Sequence, residues 1–216
     1  MLISQNQKGM SIVEVIVALL IASVVIVAAL TLFSNSMTTS QRVLDQGKLD
    51  RDLNAAMDAM VLDLKRAGYW GTATNSNTNP FMATGLDITT NSDGTCVTFT
   101  YDKNNDGTVA TVSAAADDEH YGFRKNGAAL QYRPPGATTD CSAASTNWDN
   151  LTDTNILTIT AFNVTTTNTA LAINGTTNTT QMRKVTISVT GYLNNDVSNA
   201  KTITRTIRVN NNKYIP

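Results

Sequence analysis

The sequence contains very few of the residues that most catalytic and metal centres use. Its 216 residues include one histidine, His120, and two cysteines, Cys96 and Cys141. A single histidine excludes His-rich metal sites, and the two cysteines form neither a CxxC pair nor a zinc-binding pattern. The GxSxG, HExxH, P-loop and GxGxxG motifs are missing as well. We therefore expect a protein that is not an enzyme.

Charged and aromatic side chains are also scarce. Charged residues make up 15% of the chain, aromatic residues make up 6%, and the net charge at pH 7 is −1. This balance provides no overall attraction toward nucleic acids or acidic lipids. The sequence also lacks the basic stripe with interleaved aromatics that is typical of nucleic-acid binding. We therefore predict no direct binding to nucleic acid.

What the sequence does contain is a long uncharged apolar run near its beginning. Residues 15–32 carry no charge, and as a helix these 18 residues would be roughly 27 Å long, close to the hydrocarbon thickness of a bilayer. Lys8 precedes the run and predicts a cytoplasmic N-terminus. Three interpretations fit such a segment: a secretory signal cleaved after it, a plain membrane anchor, and an anchor with a short leader that is cleaved in front of it.

Glu14 stands directly before the apolar run. A carboxylate in a membrane helix is unfavourable, by about 2.5–3.5 kcal/mol at the bilayer centre, and it therefore suggests a function. A local explanation also exists, since Ser11 and Glu14 have the spacing of a capping box. The wider string KGMSIVE, residues 8–14, has a basic residue, a glycine, a hydrophobic residue and then the glutamate. It closely resembles the class III signal of type IV pilins and their relatives.

This resemblance implies a processing event and a role for the glutamate. A prepilin peptidase would cut after Gly9 and methylate the new terminal amine on Met10. Glu14 would then lie one helical turn from that amine, on the same face. In a fibre it would pair with the amine of a neighbouring subunit. The pairing would recruit and register subunits, because an unpaired charge in a low-dielectric environment is strongly unfavourable.

The helical pattern continues beyond the apolar run. Between Leu49 and Leu64, hydrophobic residues recur at intervals of three and four, as in an amphipathic helix. Gly68 follows two basic residues and is a natural C-terminal stop. We therefore predict one helix over about residues 11–67, with 34–40 and Gly47 as candidate soft spots.

The five residues after Arg66 refine the resemblance. This stretch, AGYWG, resembles the end of the helix in PilW-type minor pilins. Pseudopilin J of type II secretion has a similar long helix and head, and it is the near alternative. The two aromatic side chains are expected to pack against the first strands of the head.

The rest of the sequence is typical of strands and loops. Segments rich in Val, Ile, Thr and aromatics predict strands at 96–101, 121–124, 128–133, 156–164, 182–193 and 201–209. The last two are expected to form an antiparallel hairpin. Stretches rich in Thr and Asn predict loops at 72–95, 136–155 and 165–181. The predicted fold class is α+β: a long N-terminal helix packed on an antiparallel β-sheet head, as in type IV pilins.

The two cysteines would lie outside the cytoplasm in this topology. A disulfide is the default state there, so Cys96 and Cys141 are predicted to form one. Closing the loop between them would stabilise the head by about 4 kcal/mol through chain entropy. The alternative is a pair of free buried thiols.

Residues 102–107, DKNNDG, match the D-x-N-x-D-G opening of a calcium loop, and PilW-type sequences resemble this segment. Calcium would take oxygen ligands from Asp102, Asn104 and Asp106. The twelfth loop position is Ser113 instead of an acidic residue, so Asp117, Asp118 and Glu119 are the candidates for the missing carboxylates. The alternative is a metal-free Asn-Asp-Gly hairpin turn after the first strand. We expect neither a zinc nor a catalytic role for His120.

These features together predict a minor pilin of a bacterial type IV pilus. Its parts would be a leader peptide (1–9), an apolar helix half (10–33), an amphipathic half (34–68) and a β-rich head (69–216). The inner membrane would hold it with the head in the periplasm. It would then join other minor pilins in a complex that primes pilus assembly and is a candidate cap for the tip of the extracellular pilus, with the major pilin as a further partner. The alternatives are a type II secretion pseudopilin and a membrane-tethered or secreted binding protein such as an adhesin.

Overall fold

The computed structural model describes residues 9–73, 78–110, 116–139, 141–142 and 147–216. One helix, α1, spans Ile12–Arg66, and a short 3₁₀ turn spans Pro80–Met82. The strands in the described part of the chain are β1 Thr89–Thr90, β2 Cys96–Thr100, β3 His120–Asn126, β4 Ala129–Tyr132, β5 Asp149–Asn150, β6 Leu157–Ala172, β7 Thr179–Leu193, β8 Lys201–Arg208 and β9 Lys213–Ile215. The predicted α+β class is confirmed.

Helix α1 is continuous and ends where the sequence predicts. The candidate soft spots at 34–40 and Gly47 are both helical, and proline is absent from 12–66. The Thr38 and Thr39 hydroxyls donate to backbone carbonyls one turn earlier, which satisfies them inside the helix. Gly68 has φ 71°, a left-handed conformation that favours glycine after a helix.

The chain forms two compact units. The first ends at Gln46, and its described residues are helical from Ile12 onward. The second, which we call the head, spans Gly47–Pro216 and includes the last 20 residues of α1, 47–66.

The head contains two antiparallel sheets. The first has the strand order β1-β2-β3-β4-β5, so consecutive strands are neighbours. In the second, β7 pairs with β6 along its whole length. Two strands pair with the other edge of β7: β8 pairs with residues 184–191, and the short β9 pairs with residues 179–181 at the start of β7. The predicted hairpin between the last two long segments is confirmed as β7 and β8.

The largest error in the predicted strands concerns residues 165–181, which the composition assigned to a loop. Strand β6 instead continues to Ala172, and its extension pairs with the first half of β7. Every residue from 165 to 172 is exposed, so the apolar alternation that identifies a strand is missing there. Threonine still favours a strand because it is β-branched. Short strands β1 and β5 also lie inside predicted loops.

The core of the head lies where the amphipathic part of α1 meets both sheets. Each side chain of the predicted apolar stripe on α1 is buried. They share one cluster with apolar residues of β2 to β4 and β6 to β8. The helical members of this cluster are Leu49, Leu53, Ala56, Met57, Met60, Val61, Leu64 and, just past the helix, Ala67. The three-and-four spacing therefore identified a packing face.

Candidate functional site

The N-terminal motif is exposed from Gly9 to Glu14, at the beginning of α1. Gly9 and Met10 precede the helix and are exposed, and the first helical hydrogen bond runs from the Val15 N–H to the Ser11 carbonyl, 3.1 Å. Within the described residues, neither the Ser11 hydroxyl nor the Glu14 carboxylate has a hydrogen-bond partner. The described residues therefore show no capping box at Glu14, and its side chain is exposed.

The first half of α1 presents an apolar surface on all sides. Its large hydrophobic side chains are exposed, from 39% at Val15 to 78% at Ile12. The helix is long and apolar enough to span a membrane. A continuous apolar surface of this kind in a protein marks contact with lipid or with other protein chains.

The acidic loop is closed by the pairing of two strands. Thr100 at the end of β2 lies opposite His120 at the start of β3. The Tyr101 N–H then donates to the Glu119 carbonyl, 3.3 Å, and continues the ladder by one step. Asp102 and Glu119 are thus brought side by side although 17 positions separate them. The alternative of a tight Asn-Asp-Gly hairpin is wrong, because the partner of β2 after the loop begins only at His120.

Three carboxylates converge in this loop. Ligand oxygens of Asp102, Asp106 and Glu119 all lie within 4.8 Å of one another, and we call this set the acidic cluster. Asp102 and Glu119 are buried, whereas Asp106 is exposed. Burial raises the pKa of Glu119, and the charges of Asp102 and Asp106 raise it further against the effect of two backbone N–H donors.

Backbone N–H groups hold two of these carboxylates in place. One oxygen of Asp102, Oδ2, accepts from the N–H of Gly71 at 2.9 Å and of Gly107 at 3.1 Å. Glu119 accepts from the N–H of Lys103 at 2.8 Å and of Ala110 at 3.2 Å. The other oxygen of Asp102, Oδ1, is buried and has no partner among the described residues.

Gly107 allows the loop to approach the segment after α1. It has φ 79°, and a Cβ atom at this position would lie 1.7 Å from the Thr72 hydroxyl oxygen and 3.2 Å from Nε1 of Trp70. A side chain here would be both strained and in collision with its neighbours. The glycine of the D-x-N-x-D-G pattern is therefore required by the loop fold itself.

The other predicted calcium ligands lie outside the acidic cluster. The Asn104 amide donates to Asp106 at 2.8 Å, and hydrogen bonds from Thr108 and Asn104 lower the pKa of Asp106. Asp117 is exposed. Asp118 is buried against Arg133, with Nη2 to Oδ2 at 2.7 Å, and its Oδ1 lies 3.0 Å from Nδ1 of His120.

Three buried arginines, Arg124, Arg133 and Arg183, were not recognised from the sequence. Both side chains of the Asp118–Arg133 ion pair are fully buried. Arg183 pairs with Asp87 and donates to the carbonyls of Ala67 at 2.9 Å and Asn211 at 2.7 Å. It thereby satisfies a carbonyl just past the end of α1. The sequence signal for the buried position of Arg183 is weak: it is a charged residue within a segment rich in Val, Ile and Thr.

Cys96 and Cys141 form the predicted disulfide, with their Cα atoms 5.8 Å apart. The bond packs against Trp148 and Ala137 in a small separate cluster. Arg124 lies over the Trp148 ring, with 4.7 Å from Cζ to the ring centroid. Because Cys96 is the first residue of β2, the disulfide fastens Cys141 to the first sheet.

Comparison with known proteins agrees with this architecture. The prokaryotic N-terminal methylation motif matches residues 4–30. The family described as prepilin peptidase-dependent protein B matches residues 42–209, more than three quarters of the chain. The chain belongs to this family. Searches of curated proteins and of solved structures yield no match.

The two matches cover the features described above. The methylation motif includes Gly9, Met10 and Glu14, so the type IV pilin-like character that KGMSIVE suggested is confirmed. The prepilin peptidase-dependent protein B region includes both cysteines, the acidic cluster and the helix segment that packs in the head.

Proposed function

We propose that this protein is a minor pilin of the PilW type in a bacterial type IV pilus. The observation that carries the proposal is the first half of α1, an exposed apolar helix that begins just after Gly9-Met10. It bears one exposed carboxylate, Glu14, which has no partner among the described residues. The same helix continues into a β-rich head. A prepilin peptidase would remove residues 1–9 and methylate Met10.

The proposed assembly follows from the two environments that this helix half can occupy. In the inner membrane, its apolar side chains face lipid. In a pilus, the same side chains pack among the helices of other minor pilins and the major pilin. The positive amine of Met10 and the carboxylate of Glu14 then neutralise each other between neighbouring subunits, which favours one axial register over all others.

The head has no proposed enzymatic role, and its disulfide supports a location outside the cytoplasm. Disulfides form and persist in the periplasm and beyond it. We therefore place the head in the periplasm before assembly and outside the cell afterwards. Priming of pilus assembly with other minor pilins is the proposed role.

The N-terminal mass of the protein tests its processing. From cells with prepilin peptidase we expect a mature chain that begins at Met10 with one added methyl group, measured by mass spectrometry of the terminal peptide. From cells without the peptidase we expect residues 1–9 to remain. A start at Met1 in both strains, or a start beyond Ser36, would contradict the proposal and favour a tethered or secreted binding protein.

Replacing Glu14 by alanine tests the charge pairing. Cleavage should be intact, but incorporation into pili should fall strongly, because removing one partner of a desolvated ion pair is unfavourable by about 3–5 kcal/mol. The measurement is the amount of this subunit in sheared pili relative to the membrane fraction.

Glu14→Asp is the matched control, since it keeps the charge and should retain more incorporation than Glu14→Ala. Normal incorporation of Glu14→Ala would count against the pairing. The proteins that co-purify with the wild type identify the machine. Co-purification of the major pilin would support the pilus role, whereas co-purification of type II secretion pseudopilins would contradict it and support a role in secretion.

A further inference from the structure

The buried carboxylate Asp102 lacks a partner for one of its two oxygens. The residue is 1% exposed. Oδ2 accepts two backbone N–H groups, whereas Oδ1 is enclosed and has no partner in the described part of the head. An enclosed carboxylate oxygen without a partner is strongly unfavourable. It calls for a positively charged partner at this point.

The other two members of the acidic cluster increase this requirement. Three carboxylates within 4.8 Å of one another repel, and Glu119 is completely buried. Among the described residues, no lysine or arginine side chain forms an ion pair with Asp102, Asp106 or Glu119; the ion pairs of the head involve other carboxylates. The described part of the head therefore supplies no compensating side-chain charge, and a cation from outside the chain could provide it.

The ligand chemistry identifies the class of ion. Carboxylate oxygens bind hard cations such as Ca²⁺ and Mg²⁺. Calcium holds its oxygens at about 2.3–2.6 Å, so ligands on opposite sides of one ion are about 5 Å apart. Magnesium holds them at about 2.0–2.1 Å and requires near-ideal octahedral geometry. Oxygens up to 4.8 Å apart, on an irregular loop, fit calcium better.

We propose that the acidic cluster is a calcium site with Asp102, Asp106 and Glu119 as its protein ligands. Bound calcium joins three parts of the head: the loop 102–110, the start of β3, and the segment after α1 whose Gly71 N–H holds Asp102. The Asp102 N–H also donates to the Tyr69 carbonyl, 3.0 Å, so the ion reinforces the junction between helix and sheet. The site lies wholly within the head and is independent of the proposed pilus role.

The test uses the full chain in detergent micelles, stripped with EGTA and then dialysed. Terbium serves as the probe, because the Trp70 indole lies beside Gly107 of the loop and can sensitise its luminescence. We expect terbium to bind and calcium to displace it. The dissociation constant for calcium should be near the 10⁻⁴–10⁻³ M that is typical of extracellular modules. Calcium should also raise the thermal unfolding midpoint, and magnesium should do so much less.

Single variants locate the site. Asp106→Asn and Glu119→Gln should each weaken calcium binding about tenfold or more, since ligand charge sets the affinity. Asp117→Asn, an exposed neighbour outside the acidic cluster, should bind as the wild type does. Asp106 is exposed, so its variant folds even if Glu119→Gln does not. The proposal is overturned if about 10 mM calcium does not displace terbium. It is equally overturned if magnesium raises the unfolding midpoint as much as calcium does, or if Asp106→Asn binds calcium as the wild type does.

Discussion

Replacing Asp118 by alanine is expected to lower the free energy of unfolding of the head by about 3–5 kcal/mol. The Asp118–Arg133 pair is fully buried on both sides. In the variant, Arg133 keeps its hydrogen bonds to backbone carbonyls such as that of Thr138, but its charge has no counter-charge. A buried charge whose partner is removed is among the most destabilising single changes in proteins. Denaturant unfolding followed by circular dichroism measures the difference.

Asp117→Ala provides the matched control for this prediction. It removes the same side chain one position earlier, where the carboxylate is exposed, and it should change stability by less than about 0.5 kcal/mol. Equal effects at the two positions would show that the buried pair contributes no special stability. All measurements are made in EGTA so that the acidic cluster does not contribute.

The effect of Asp118 should also depend on pH. Burial by itself would raise the pKa of Asp118, but hydrogen bonds from Arg133, Gly136 and His120 lower it below the ordinary value. A lowered pKa in the folded state means that the carboxylate stabilises the fold above its unfolded pKa of about 3.9. This contribution is lost as the pH falls through the folded value. The gap between wild type and Asp118→Ala should therefore be constant near neutral pH and shrink below about pH 4.

Replacing both cysteines by alanine should remove about 4 kcal/mol of stability. Cys96 and Cys141 are 45 positions apart, and opening a loop of this length restores chain entropy to the unfolded state. Unfolding of the double variant Cys96→Ala/Cys141→Ala under oxidising conditions gives the value directly.

Reduction of the wild type separates the loop effect from packing. Dithiothreitol opens the same loop but keeps both sulfur atoms beside Trp148. We expect the reduced protein to lose most of what the double variant loses. A loss below about 1 kcal/mol on reduction would mean that the unfolded chain gains little freedom, contrary to the loop-entropy argument.

Most features that the sequence predicted correctly depend on local patterns; the Cys96–Cys141 disulfide is the exception, and it was predictable because the chain has only two cysteines. The helix over Ile12–Arg66 follows from a long apolar run, a three-and-four stripe and a terminal glycine. The buried face from Leu49 to Leu64 follows from the same stripe. In contrast, the strand extension at 165–172 lacks apolar alternation because both of its faces are exposed, so its composition indicated a loop.

The candidate calcium ligands show what a local pattern leaves open. DKNNDG predicted a loop with oxygen ligands, but Asp117, Asp118 and Glu119 were equally plausible sources of the missing carboxylates. The antiparallel register of β2 and β3 selects Glu119, because it places this residue directly beside the end of β2. Asp118, one position before Glu119, contacts Arg133 instead and lies outside the acidic cluster.

The sequence by itself determined the apolar N-terminal run, the prepilin-type methylation motif, the long helix and the β-rich character of the head, because each is encoded by neighbouring residues. Only the tertiary structure decided which charges are buried together. The pairing of Arg133 with Asp118, the position of Arg183 at the end of α1, and the convergence of Asp102, Asp106 and Glu119 all join residues distant in sequence. Such contacts depend on strand register and on the packing of sheets against the helix, which no local spacing specifies.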